Sequence, residues 1–112
     1  MHVQVATYRI PAISDREFIE ANREFAEAIA QVPGLLAKIW LKAPDASVYG
    51  GVYLWESRAA YEEFAASELW NSVVADDTLS DLVSHDFEVM GELTGATQPG
   101  LLVVEGGSRG AS

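Results

Sequence analysis

A small set of side chains in this sequence has both the chemistry and the setting to act on a small molecule: Tyr8, Lys38, Trp40, Tyr53, Trp55, Trp70, Asn71 and His85. His85 shares one face of a predicted strand with Val83, Phe87 and Val89. If that face looks onto helices, the imidazole enters an apolar pocket and can serve as a general base near neutral pH. Lys38 and Trp40 project from one face of another strand, with Trp40 walling an aromatic pocket and Lys38 meeting a substrate oxygen. Tyr53 and Trp55 follow the pair Gly50-Gly51. Glycine weakens a strand interior, so the pair marks a place where another backbone or a ligand comes close. Asn71, beside Trp70 on a short amphipathic segment, can hold a carbonyl or phenolate as it gains charge. Each residue also has a purely structural role open to it. These are a half-buried histidine bonded to a neighbour, a core or interface tryptophan, a snorkelling lysine, ordinary sheet packing, and a helix-surface amide.

Other chemistries find no support. There is no Ser-His-Asp spacing, phosphate-binding glycine loop or dinucleotide fingerprint. The glycines at 106, 107 and 110 stand near the C-terminus with no helix after them and read as a tail. The absence of cysteine excludes a disulfide framework, thiolate zinc sites and a Cys nucleophile. Asp76, Asp77 and Asp81 have no histidine at ligand spacing and read as a solvated loop, so no metal is expected. With 17 acidic against 7 basic side chains, the formal charge of −10 repels phosphate backbones and anionic lipid alike. No signal peptide or membrane-length apolar run is visible, and a cytoplasmic setting is the expectation.

The elements that must position these residues follow from periodicity. At 112 residues and 49% hydrophobic, the chain reads as one domain over 1–105 with a flexible tail at 106–112. Its surplus of apolar side chains calls for a pocket or a partner. Alternation from His2 to Ile10 predicts a strand ended by Pro11. Ser14 and Glu17 form a capping box for an amphipathic helix carrying Phe18, Ala21, Phe25, Ala28, Ile29 and Val32, closed by Pro33-Gly34. Leu35 to Lys42 is a second strand, with Leu35, Ala37, Ile39 and Leu41 on one face. Tyr49 to Glu56 is a third. Ser57 caps a second helix through Tyr61, Phe64 and Ala65, the segment Leu69–Val74 follows, and Val83 to Val89 is the last strand.

The order β-α-β-β-α-β defines a ferredoxin-like α+β sheet with helices on one face. The third strand is apolar on both faces, so something must cover the side its own helices leave open, and a second copy of the chain is expected there. Leu101-Leu102-Val103-Val104 is expected to form a short extra strand or an arm reaching that partner.

Pro33-Gly34-Leu35, Lys38-Ile39-Trp40, Gly50-Gly51-Val52-Tyr53-Leu54-Trp55-Glu56 and Ala60-Tyr61 resemble the YdhR-like mono-oxygenase family. That family lies in the dimeric α/β-barrel superfamily, beside the antibiotic-biosynthesis monooxygenases. The resemblance implies a homodimer packed sheet to sheet, with a pocket in each subunit between sheet and helices. It also implies oxidation of an aromatic or polyketide-type substrate, as in secondary metabolism, without metal or bound cofactor. Cyclisation or dehydration of a polyketide on the same scaffold, and a non-catalytic small-molecule-binding dimer, stay open. Haem-degrading relatives need an axial histidine after the second helix. Val74 stands at that position here, which disfavours haem degradation.

Overall fold

The computed structural model describes residues 1–44 and 47–97. Alternation along β1 (His2–Arg9) puts His2, Gln4 and Ala6 against helices, and the intervening valines on the opposite face. β1 pairs antiparallel with both β3 (Val48–Trp55) and β4 (Ser80–Glu88), and β2 (Leu35–Lys42) pairs antiparallel with β3. The sheet order β2-β3-β1-β4 is that of the ferredoxin-like fold expected from the element order.

α1 (Asp15–Ile29) begins as its sequence dictates. Ser14 Oγ accepts from the Glu17 amide at 3.0 Å, and Glu17 Oε1 accepts from the Ser14 amide at 2.8 Å. The helix stops at Ile29, short of Val32, and tight turns carry the chain to Gly34. Gly34 adopts φ +86°, and a Cβ there would lie 2.5 Å from the Ala60 Cβ, so both backbone and packing require glycine. α2 (Arg58–Ala65) and α3 (Glu68–Val74) are capped by Ser57 and Ser67. Trp55, Phe64, Trp70, Tyr53, Ile29 and Ala6 form the core between sheet and helices.

Two features depart from the periodicity. A bulge between Leu35 and Ala37 in β2 inserts one residue against β3, so Leu35 joins the helix-side core while Ala37 and Ile39 face away. A fourth helix, α4 (Gly91–Thr97), lies beyond the last strand. It overhangs the far face of the sheet and encloses a recess of about 560 Å³ lined by Val3, Ala37, Ile39, Val52, Leu54 and Leu93. Leu101–Val104 and the tail at 106–112 lie outside the described residues.

Candidate active site

On the helix face of the sheet, aromatic residues of β2, β3 and α1 stop short of filling the space between them. The gap is a cavity of about 190 Å³ whose walls include Asn22, Phe25, Lys38, Trp40, Tyr53 and Tyr8. Ser72, Val73, Asp76 and Leu79 close it from α3 and the loop after it. A second recess of about 330 Å³, under Pro11 and Ile13, shares Tyr8, Asn22 and Asp76 with the first. The apolar stripe of α1 builds one wall: Phe18 and Phe25 meet Trp40 edge-on at 6.2 and 6.3 Å.

Lys38 is the charged centre of this cavity. Its Nζ lies 3.6 Å from the Trp40 ring centroid, 4.4 Å from Tyr53 and 4.8 Å from Phe25, and it donates to Tyr53 Oη at 3.1 Å. Among the described residues no carboxylate forms an ion pair with it. Two effects oppose each other at this amine. Lost hydration favours the neutral form, whereas ring faces favour the ammonium by about 0.5–1 kcal/mol each. Hydration of an ammonium is the larger quantity, and burial lowers the Lys38 pKa to about 8.

The amine can lie here because Gly51, its diagonal neighbour across the strand pair, has no side chain. A Cβ on Gly51 would stand 2.8 Å from Lys38 Cε. Burial raises the Tyr53 phenol far above its ordinary range. Tyr8 is raised as well, first by burial and then by the charge of Asp76. Asp76 is held low by the side chain and amide of Thr78, at 2.6 and 2.9 Å, so it stays ionised at the cavity wall.

The structure thus brings together Lys38, Trp40, Tyr53 and Tyr8, and separates the other candidates from them. His85 faces away from the helices: it pairs with Val5 across the strands and lies exposed near Phe87. Its imidazole does not enter the cavity, because the strand's opposite face, with Ser84 and Asp86, is the one turned to the helices. Asn71 is exposed on α3 and does not line the cavity, where Ser72 and Val73 do. Trp55 and Trp70 are core: Trp55 is wholly buried, its indole donating to Gln4 at 3.4 Å, and Trp70 packs against Phe64 and Tyr53.

Asn22 lines the cavity without belonging to the set that the sequence singles out. It stands four residues after Phe18 and three before Phe25, and a polar side chain inside an apolar helical stripe is the signal that marks it. Its amide donates to the Phe18 carbonyl at 3.0 Å. His2 is likewise outside that set: it is buried, with Nε2 2.6 Å from Asp86 and its ring 5.2 Å from that of Tyr61.

The family model described as "Putative mono-oxygenase ydhR" matches residues 5–99. The chain belongs to this family. No curated protein matches the chain in sequence. Among solved structures, a "putative antibiotic biosynthesis monooxygenase" of Deinococcus radiodurans has a TM-score of 0.66 at 16% identity, covering 80% of this chain and 92% of its own. SnoaB, a cofactor-independent oxygenase from Streptomyces nogalater, has a TM-score of 0.63 at 19% identity, over 79% of this chain and 91% of its own. The heme-degrader MhuD of Mycobacterium tuberculosis has a TM-score of 0.63 at 22% identity, over 80% and 96% respectively. At these identities the likeness is one of fold. The same fold thus hosts an oxygenase and a heme-degrader alike. Here α3 carries no histidine, and Val74 is exposed on it.

Proposed function

We propose that this chain is a cofactor-independent mono-oxygenase of an aromatic or polyketide-type phenol or enol bound in the Lys38–Trp40 cleft. One observation carries the reading: a desolvated amine, unpaired with any carboxylate among the described residues, at the centre of an aromatic-walled cavity in an acidic protein. The neutral fraction of Lys38 takes the proton of the phenol or enol. The resulting ammonium then stays hydrogen-bonded to the oxyanion, an interaction that strengthens as charge develops. A base is most effective with a pKa near the working pH, and burial moves Lys38 toward it. Trp40 and Phe25 flank the ring, and exclusion of water protects the anion. The anion supplies electrons to oxygen directly: a C–O bond forms, the peroxide takes back the proton held by Lys38, and loss of the C–H proton at that carbon breaks the O–O bond, so that one oxygen atom stays as a carbonyl and the other leaves as water.

Oxygen uptake with a panel of naphthols and anthrones, paired with intrinsic tryptophan fluorescence for binding, tests this. Lys38→Met should lose uptake at least about 100-fold, while Lys38→Arg should still bind the anions but not turn them over. Uptake by Lys38→Met equal to that of the native protein would sink the reading.

We further propose that the working unit is a homodimer packed through the far face of the sheet. Ile39 and Phe87 are 58% and 54% exposed there, and Met90 and Leu93 of the α4 region 69% and 65%. Contiguous apolar surface of this kind marks an interface. Light scattering after size exclusion should give twice the chain mass, and Phe87→Asp should halve it. A native monomer at micromolar concentration contradicts the proposal.

A further inference from the structure

The chain holds two lysines, four residues apart on β2, in opposite surroundings. Lys42 is exposed and bonded to Asp15 Oδ1 at 2.6 Å, and that carboxylate raises its pKa. Lys38 lies among three rings beside the Tyr53 hydroxyl, with the cavity open before it.

We propose that Lys38 is a carbonyl-capturing amine, forming a reversible imine with the aldehyde or ketone carbon of an aromatic ligand lodged in the cleft. This activity shares the cleft and the neutral amine with the oxygenase reading, and needs none of its oxygen chemistry.

Three conditions make an amine a carbonyl nucleophile: a lone pair free of its proton, a proton donor beside it, and room for the carbonyl. Burial supplies the first, lowering Lys38 to about 8 without a described carboxylate to hold its proton. Lysines desolvated in apolar pockets are those used in Schiff-base chemistry. Tyr53 Oη supplies the second at 3.1 Å, and burial keeps that phenol protonated. The cavity of about 190 Å³ supplies the third, with Trp40 and Phe25 as flat walls for a ring. Gly51 positions the amine, since any side chain there would meet Lys38 Cε.

The step balances without an external oxidant or reductant. The Nζ lone pair attacks the carbonyl carbon, a C–N bond forms, and the C=O π pair moves to oxygen, which takes a proton from Tyr53. A second proton, taken from solvent, lets that oxygen leave as water, while nitrogen gives up its two protons, one to the tyrosinate and one to solvent. The product is a C=N imine, with Tyr53 restored. Asp76 and Tyr8, the other titratable groups on the cavity wall, also border the neighbouring recess.

The test is reductive trapping of the native protein with benzaldehyde and sodium cyanoborohydride at pH 7.5, followed by peptide mapping. Lys38 carries the larger free-amine fraction, since burial lowers its pKa to about 8 while the Asp15 carboxylate raises that of Lys42. Labelling of Lys38 at least about tenfold faster than Lys42 is therefore expected, with the preference lost once urea has unfolded the chain. Tyr53→Phe should slow labelling of Lys38 about tenfold without changing that of Lys42, and a carbonyl-free naphthol should protect Lys38 alone. Equal rates at the two lysines in the folded protein, or label confined to Lys42 and the N-terminal amine, would overturn the proposal. Oxygen uptake is read separately on phenols lacking a carbonyl. Trapping without uptake refutes the oxygenase reading alone, and uptake without trapping refutes imine capture alone.

Discussion

Removing the Lys38 charge should change how the stability of this fold depends on pH. The Lys38 pKa falls from its ordinary value of 10.5 to about 8 on folding. Below pH 8 both states are protonated, and the folded state carries the cost of a buried ammonium. Between 8 and 10.5 the unfolded chain binds the proton more tightly than the folded one, so stability rises with pH across that window. Every tenfold loss of proton affinity on folding corresponds to about 1.4 kcal/mol, which places the penalty at about 3 kcal/mol at pH 7 and its relief at about 2 kcal/mol between pH 7 and 9.5. The tyrosines with raised pKa values (Tyr8, Tyr53 and Tyr61) act in the opposite sense, but only as pH passes 10. Urea unfolding of native protein and Lys38→Met at both pH values and at one protein concentration, followed by tryptophan fluorescence, isolates the lysine. The native protein should gain about 2 kcal/mol relative to Lys38→Met on going from pH 7 to 9.5. Parallel behaviour of the two would mean that the ring faces fully offset the lost hydration, and the neutral-amine chemistry would fall with it.

Gly50 and Gly51 should respond differently to alanine. At Gly50 the new Cβ would come 2.2 Å from the Ala6 carbonyl oxygen, which is backbone and cannot give way, so Gly50→Ala should cost about 3 kcal/mol in urea unfolding. At Gly51 the obstacle is the flexible end of Lys38, so Gly51→Ala should cost under about 1 kcal/mol while weakening phenol binding about tenfold in a fluorescence titration. Ser14→Ala should lower stability by about 1 kcal/mol through the lost cap, with no change in ligand affinity. His85→Ala should leave naphthol affinity within about twofold of native, because the imidazole lies across the sheet from the cleft. A larger loss would return His85 to the site.

Much of the fold was legible because its signals are local. Ser14 and Glu17 bond within one turn, Gly34 needs a positive φ, and His2 to Arg9 alternates with period two, so these elements follow from near neighbours in the chain. That Lys38, Trp40 and Tyr53 share one face was legible for a related reason: their strands place them there, and strand alternation survives folding. What sequence could not decide was which face of β4 meets the helices. His85 and Asp86 are adjacent, and one step of register exchanges them between cavity side and far side. Tertiary packing settled that choice by burying His2 and Gln4, whose side chains bond diagonally to Asp86 and Ser84. The bulge at Leu35–Ala37 likewise arises from pairing with β3, and leaves no mark in a single strand's composition. Sequence thus determined most of the elements up to Glu88, and the chemical types at hand. Only the packing of α1 over β2 and β3 determined that the Lys38 amine would lose its water among aromatic rings, since desolvation belongs to a neighbourhood and not to a residue.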